Sequence, residues 1–123
     1  MKIYTLPVKQ VLLSDFIEIS GAESGLALSK SAEKAIVAGA KAVENIIKDK
    51  KVVYGVNTGI GDLCDCVLED EISLKNLQEN IILSHACGCA PYLDEQVARG
   101  VFFLVINSRA KGYSGLHLET IKK

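Results

Sequence analysis

The sequence predicts a mainly α-helical domain with a short extended segment at its N-terminus. Three observations carry that expectation. Apolar residues recur at helical spacing between Ala32 and Ile47. Serine or aspartate stands before that run and before two later ones, where helices need side-chain acceptors for their first free N–H groups. Stretches that favour extended backbone are confined to Lys2 to Leu6 and Val52 to Tyr54. A chain of 123 residues is read as one domain, residues 1–123, with a core of modest size.

The extended start, Lys2 to Leu6, runs into a turn at Pro7, and Ser14 is expected to cap a brief helix from Asp15 to Ile19 that stops near Gly21. Ser29 or Ser31 caps a long second helix reaching about Lys50, with Ala32, Ala35, Ile36, Ala40, Val43, Ile46 and Ile47 on its apolar positions. Lys48, Lys50 and Lys51 crowd its end, where cations favour the negative pole of the helix dipole. After Val52-Val53-Tyr54 comes a glycine-rich loop, Gly55 to Gly61. A third helix is expected from a cap at Ser73 to about Ala86, with Leu74, Leu77, Ile81 and His85 on one face and Gly88 and Pro91 ending it. Asp94 opens a fourth helix that ends by Gly112, and a fifth begins after Ser114. From Gly100 to Ile106 the fourth helix has no polar face, and a helix apolar all round is buried on all sides. The other elements are too few to surround it, so it is expected to pack into something larger, an oligomer or a further part of the same fold.

Composition narrows the partners. Lys+Arg 14 against Asp+Glu 15 leaves a net charge of -1, which provides no field to recruit nucleic acid or an anionic membrane. The longest apolar run, Val101 to Ile106, is far short of the about 20 residues a helical membrane span needs. The first residues carry no apolar leader, so the expected location is the cytoplasm, where the four cysteines are reduced thiols. Small molecules and other proteins are the expected partners.

Gly55-x-x-x-Gly59-x-Gly61 invites comparison with a phosphate-binding loop, and the comparison fails. No Gly-Lys-Ser/Thr follows, and Asp62, Asp65, Glu69, Asp70 and Glu71 would repel a polyphosphate. The plain alternative is a tight turn in which Gly and Asn tolerate positive φ. The whole string is more specific. Tyr54-Gly55-Val56-Asn57-Thr58-Gly59-Ile60-Gly61 resembles the Tyr-Gly-x-Asn-Thr-Gly-Phe-Gly loop of the aromatic amino acid ammonia-lyases. Leu77-Gln78-Glu79-Asn80 with Leu83-Ser84-His85-Ala86-Cys87-Gly88 forms a second matching block, and Ile106-Asn107-Ser108-Arg109-Ala110-Lys111-Gly112-Tyr113-Ser114-Gly115 a third. The three stand in the family's order and spacing.

That resemblance implies the N-terminal lobe of the ammonia-lyase (aspartase-like) fold, with four to five helices. It implies non-oxidative removal of ammonia from an amino acid with the help of 4-methylideneimidazole-5-one, an electrophile made when an Ala-Ser-Gly segment cyclises. The proton to be removed sits on an unactivated β-carbon, so a protein base needs an electrophile to draw off electron density. By resemblance Tyr54 is that base. A phenol ordinarily titrates near 10, so a tyrosine base requires neighbours that favour the charged form. Gly61 is implied as a loop contact to substrate, and Gly55, Asn57, Thr58 and Gly59 as residues that shape the loop. Ser84-His85 resembles the histidine-acting branch of the family, with His85 meeting the substrate imidazole. Position alone allows a plainer reading, since Leu77, Ile81 and His85 share a face and such a histidine is often a hydrogen-bonded core residue.

The sequence contains no Ala-Ser-Gly; its Ser-Gly pairs follow Glu, Tyr and Ile. The expectation is therefore an N-terminal subunit or fragment of a histidine ammonia-lyase, converting L-histidine to urocanate only when a partner chain brings the electrophile. A homo- or hetero-oligomer is expected. The alternative is a catalytically dead oligomeric binding or regulatory domain. A third reading rests on Cys64, Cys66, Cys87 and Cys89, two C-x-C pairs with enough thiolates for a zinc ion, although that spacing is less typical than C-x-x-C and a free Cys also serves as a small buried hydrophobe.

Overall fold

The computed structural model describes residues 1–21, 24–68 and 70–123. Two strands, β1 (Lys2–Leu6) and β2 (Ser24–Leu28), accompany five helices: α1 (Leu13–Ser20), α2 (Lys30–Lys48), α3 (Glu71–His85), α4 (Glu95–Arg109) and α5 (Leu118–Lys122). The fold is mainly helical, as the periodicity predicts. The chain forms two compact units, one of residues Met1–Ala42 with Tyr92–Lys123, the other of Val43–Pro91.

In the first unit β1 and β2 pair in parallel, from Lys2 opposite Ser24 to Leu6 opposite Leu28, and α1 is the crossover between them. Parallel strands need such a connection because a tight turn cannot reverse direction twice. The core gathers Tyr4, Leu6, Ile19, Phe103 and Ala110, with Val8, Val11, Phe16, Leu28 and Ile106 packed against it. Gly100 on α4 admits α1 closely: a Cβ there would lie 2.5 Å from Phe16 Cζ. Asn107 fastens the chain beyond Pro7 to α4, its Oδ1 accepting from Val8 N–H at 2.6 Å and its Nδ2 donating to Val8 C=O at 3.3 Å. Gly112 takes φ +84°, and its missing side chain lets it approach the Ala35 backbone on α2. Lys122 on α5 reaches Glu33 on α2 at 2.7 Å.

Three local expectations are corrected. No strand forms at Val52 to Tyr54; the second strand is Ser24–Leu28, which the sequence reading left unassigned. The backbone of Val53 is occupied otherwise, its N–H donating to the Asn57 side chain and its C=O accepting from the N–H groups of Val56 and Asn57. At α1 the cap is Leu12 rather than Ser14, and the carboxylate of Asp15 accepts the Leu12 N–H at 3.2 Å. At α3 the cap is Asp70, whose carboxylate accepts the Ser73 N–H at 2.8 Å; Ser73 is a donor there, not the cap. At α2 the choice falls on Ser29, whose hydroxyl accepts the Ala32 N–H.

Helix α4 is buried along one face only, at Gly100, Phe103 and Asn107. Val101, Phe102, Leu104 and Val105 are 47–67% exposed. The expectation of a helix surrounded on every side is thus not met within this chain.

The N-terminal strand carries a charged cluster. Lys2 Nζ donates to Glu18 at 2.9 Å and also to the Tyr4 hydroxyl, which in turn donates to Glu18 at 2.8 Å. The Lys2 bond, then the Tyr4 bond, hold the Glu18 carboxyl below the usual carboxylate range. The bonds to Tyr4 and Glu18 hold the Lys2 ammonium above the ordinary lysine range. A lowered acid contributes stability above its unfolded value near 4.3 and loses it as pH falls through the folded value; a raised lysine contributes below about 10.4 and loses it as pH rises. The urea midpoint should therefore be flat near neutrality and fall below about pH 4.5 and above about pH 10.4. Glu18→Gln should flatten the acid limb, and an unchanged acid limb in that variant would remove Glu18 from the account.

Candidate active site

The second unit is built around the glycine loop. Asn57, Thr58 and Gly59 are buried, and each is held by specific bonds. Asn57 Oδ1 accepts from Val53 N–H at 2.9 Å while its Nδ2 donates to Lys51 C=O at 2.9 Å. Thr58 Oγ1 accepts from Gly55 N–H at 3.2 Å and donates to Gly59 C=O at 2.9 Å. The backbone of the same three residues pairs with the segment from Cys66 to Leu68: Leu68 N–H donates to Asn57 C=O, Gly59 N–H donates to Cys66 C=O, and Thr58 bridges Val67 in antiparallel fashion. A side chain at Gly59 would collide with Leu63 in the 3₁₀ turn Gly61–Leu63. Gly55 and Gly61 take φ of +72° and +63°, the left-handed region that L side chains adopt at a cost.

The result is a rigid base carrying an open crest. Tyr54 stands on that crest, 62% exposed, and its Oη accepts a long hydrogen bond, 3.4 Å, from Gly61 N–H. The cleft beside the base, lined by Ile47, Val52, Asn57, Val67, Leu68 and Leu74, holds only about 70 Å³, room for water and not for an amino acid.

Ser84 and His85 lie together at the end of α3. His85 Nδ1 is 2.9 Å from Ile81 C=O and 3.0 Å from Ser84 Oγ, and the Ser84 hydroxyl donates to the same carbonyl at 3.1 Å. With Nδ1–H turned to the helix backbone, Nε2 is an acceptor, and it has no hydrogen-bond partner among the described residues. His85 is exposed, which the core-histidine reading did not anticipate. No residue of α3 is buried, and Ile72, Ile82 and Leu83 are 67–77% exposed. No hydrogen bond among the described residues joins His85 to the Tyr54 loop.

All four cysteines are free and exposed. Among the described residues, no three His, Cys, Asp or Glu side chains converge as metal ligands do. Of the carboxylates after the loop, Asp70 serves as a helix cap; the Ser73 hydroxyl and N–H hold its carboxyl below the usual range. Glu69 lies outside the described residues. The pairing of the Cys66 to Leu68 segment with the loop has almost no trace in the sequence. Its only local signal is the Val67-Leu68 dipeptide, too short to register as periodicity.

Asn57→Ala leaves the half-buried Val53 N–H and the Lys51 C=O without the two hydrogen bonds that the buried amide gives them. It should cost about 1–3 kcal/mol of the stability of this unit. Amide exchange at Val53 would accelerate accordingly; unchanged exchange would mean that the side chain is not the clamp.

The tyrosine-bearing glycine loop and the serine–histidine pair at the end of α3 are the motifs that carry the resemblance to the ammonia-lyases. The chain belongs to the aromatic amino acid lyase family, whose profile matches residues 11–123. The relatives it resembles are histidine ammonia-lyases, among them that of Streptococcus gordonii, 37% identical over 121 residues, and that of Alkaliphilus oremlandii, also 37% identical over 121 residues. These alignments take in 98% of this chain and 23–24% of the relatives, so the chain spans about a quarter of their length and corresponds to an N-terminal portion. Histidine ammonia-lyase from Trypanosoma cruzi superposes with a TM-score of 0.84 at 27% identity, over 99% of this chain and 23% of that one. An ergothionase from Treponema denticola shares the fold, with a TM-score of 0.89 at 24% identity over 98% of this chain and 24% of its own. Among the described residues, no helix is long and apolar enough to cross a membrane.

Proposed function

We propose that this chain supplies the base and the substrate-recognition side of a histidine ammonia-lyase active site, as the N-terminal subunit of an enzyme completed by a second chain that carries Ala-Ser-Gly. The observation that carries the reading is the Tyr54 loop. Its framework is hydrogen-bonded throughout and its phenol is turned outward onto solvent. An exposed, well-supported nucleophilic oxygen suits a base whose substrate is enclosed only when a partner arrives.

In this reading Tyr54 Oη removes a proton from the β-carbon of L-histidine, with Gly61 N–H stabilising charge on the oxygen. The electron pair of the broken C–H bond becomes the second bond of the alkene, and ammonia leaves from the neighbouring carbon. Asn57, Thr58, Gly55 and Gly59 hold the phenol in place, because a displaced base loses much of its effect. His85 Nε2 accepts from the substrate imidazole N–H, and Ser84 orients the ring from its other side. These 123 residues contain no Ala-Ser-Gly, so 4-methylideneimidazole-5-one cannot form from them. Bound on the second chain, that group would supply the electron withdrawal that makes the β-proton removable. A soluble enzyme that acts in the cytoplasm as an oligomer fits this role.

Two experiments test it. The pure 123-residue chain should release no urocanate from histidine, and measurable formation would overturn the need for a second chain. Mass spectrometry of the chain captured from its native extract should recover a polypeptide with a dehydrated Ala-Ser-Gly segment. Recovery of this chain alone would replace catalysis with a binding role.

A further inference from the structure

We infer that Cys87-Gly88-Cys89, just past the end of α3, is a thiol–disulfide exchange site: low-molecular-weight disulfides close it into an intrachain disulfide, and the change is felt at His85. The site is independent of the function proposed above. Both thiols are free and exposed. Residues 86–89 belong to no helix or strand, so no ladder of backbone bonds holds the two cysteines apart.

The geometry is already folded back. Cys89 Sγ lies 3.6 Å from the Cys87 carbonyl oxygen, to which its thiol donates, and Cys87 Sγ donates to His85 C=O, also at 3.6 Å. Cysteines two residues apart have Cα atoms within about 7 Å of each other, and a disulfide spans about 4.4–6.8 Å. A bend at Gly88 brings them into that range. Nothing lies within 4 Å of where a Cβ would stand on Gly88, so the bend meets no obstacle there. The remaining motion is a turn of the Cys87 side chain away from the helix end.

The other C-x-C pair is held differently. Cys64 N–H donates to Gly61 C=O, Cys66 N–H donates to Leu63 C=O, and Cys66 C=O accepts from Gly59 N–H. Bending Cys64 to Cys66 into a small ring would strain those bonds. Charge separates the pairs as well. Between His85 and Asp94 the chain has no charged residue, whereas Asp62 and Asp65 stand at the first pair and repel an anionic disulfide such as glutathione disulfide.

The exchange has two steps. One Cys thiolate attacks a sulfur of the reagent disulfide; its S–S bond breaks, one reagent thiolate leaves, and a mixed disulfide remains. The second Cys thiolate attacks the protein sulfur of that mixed disulfide, forming Sγ–Sγ and expelling the second reagent thiolate. The two thiol protons end on the two departing thiolates. The protein is oxidised by two electrons and the reagent reduced by two. An exposed disulfide in a small ring is readily reduced again, so the pair rests as a dithiol and closes under oxidising conditions. Closure withdraws the Cys87 thiol from the carbonyl of His85, the last residue of α3.

The test exposes the reduced full chain, with a chelator present, to glutathione disulfide, then quenches in acid, alkylates and cleaves with trypsin. Cys87 and Cys89 fall in one peptide, residues 76–99, and Cys64 and Cys66 in another, residues 52–75. The first should lose two hydrogens and refuse alkylation, while the second takes two alkyl groups. The closing equilibrium should favour the first by about tenfold, the scale of one hydrogen bond kept. Cys87→Ser and Cys89→Ser, each checked for fold by circular dichroism, should stop at the mixed disulfide and retain one glutathione. In the NMR signals of the imidazole rings, His85 should move on oxidation and His117, the other histidine of the chain, should not. Equal closure of both pairs, or a wild-type chain that stops at the mixed disulfide, would overturn the site. An unmoved His85 signal with the ring closed would overturn its coupling to α3.

Discussion

Tyr54→Phe should reduce urocanate formation by the assembled enzyme by about 10²–10⁴-fold while leaving assembly intact. The variant removes one oxygen, and that oxygen is the only atom of the side chain with a hydrogen bond, the long one from Gly61 N–H. The ring is 62% exposed, so the chain gives up little packing or polar satisfaction when the hydroxyl goes. The framework beneath, Asn57 and Thr58 with their backbone partners, makes its hydrogen bonds without the phenol oxygen and should persist. The expected signature is a fall in kcat with KM little changed, because the lost interaction acts on the proton in transit rather than on the bound ground state. Retention of full turnover by Tyr54→Phe would remove this residue from the chemistry. A loss of captured partner chain together with activity would make it an interface residue instead.

Phe103→Ala should cost about 3–5 kcal/mol, the range for truncating a fully buried aromatic side chain. Phe103 is 1% exposed and stands at the junction of β1, α1 and α4, among Tyr4, Leu6, Ile19 and Ala110. A domain of this size holds about 5–15 kcal/mol in all, so the variant should be partly unfolded at physiological temperature. The adjacent Phe102 is the internal control. It has the same side chain on the same helix, and it is 67% exposed, so Phe102→Ala should leave chain stability within about 0.5 kcal/mol. Urea midpoints of the two variants measure the contrast directly. Similar losses at both positions would mean that α4 buries a different face.

How far the sequence reaches differs from element to element. The N-terminal strand and helices α2 and α4 were legible because their signals are short-range: apolar spacing over 32–47, a serine or aspartate one residue before the first turn, lysines or an arginine in the last. The caps of α1 and α3 lie two and three residues before the serines expected to form them, at Leu12 and Asp70. Several polar residues crowd each of those starts, and which one accepts the free N–H depends on backbone angles that composition does not reveal. The loop was legible as a motif and not as a structure. Nothing local shows that Asn57 clamps Lys51 and Val53, or that Cys66 to Leu68 runs back along it.

By itself, then, the sequence determined the helical class, the family through its three blocks, and the residues worth testing as base and specificity contact. Those depend on identity and on spacings of three or four residues, which a helix turns into neighbours wherever it forms. Only the tertiary structure decided that Ser24–Leu28 is a strand, because its partner lies twenty-two residues earlier and parallel pairing has no local signature. It alone decided which face of α4 is core and which is bare. A helix apolar all round carries no mark of its inner side, and the choice was made by where Phe16 met Gly100 and where Val8 met Asn107.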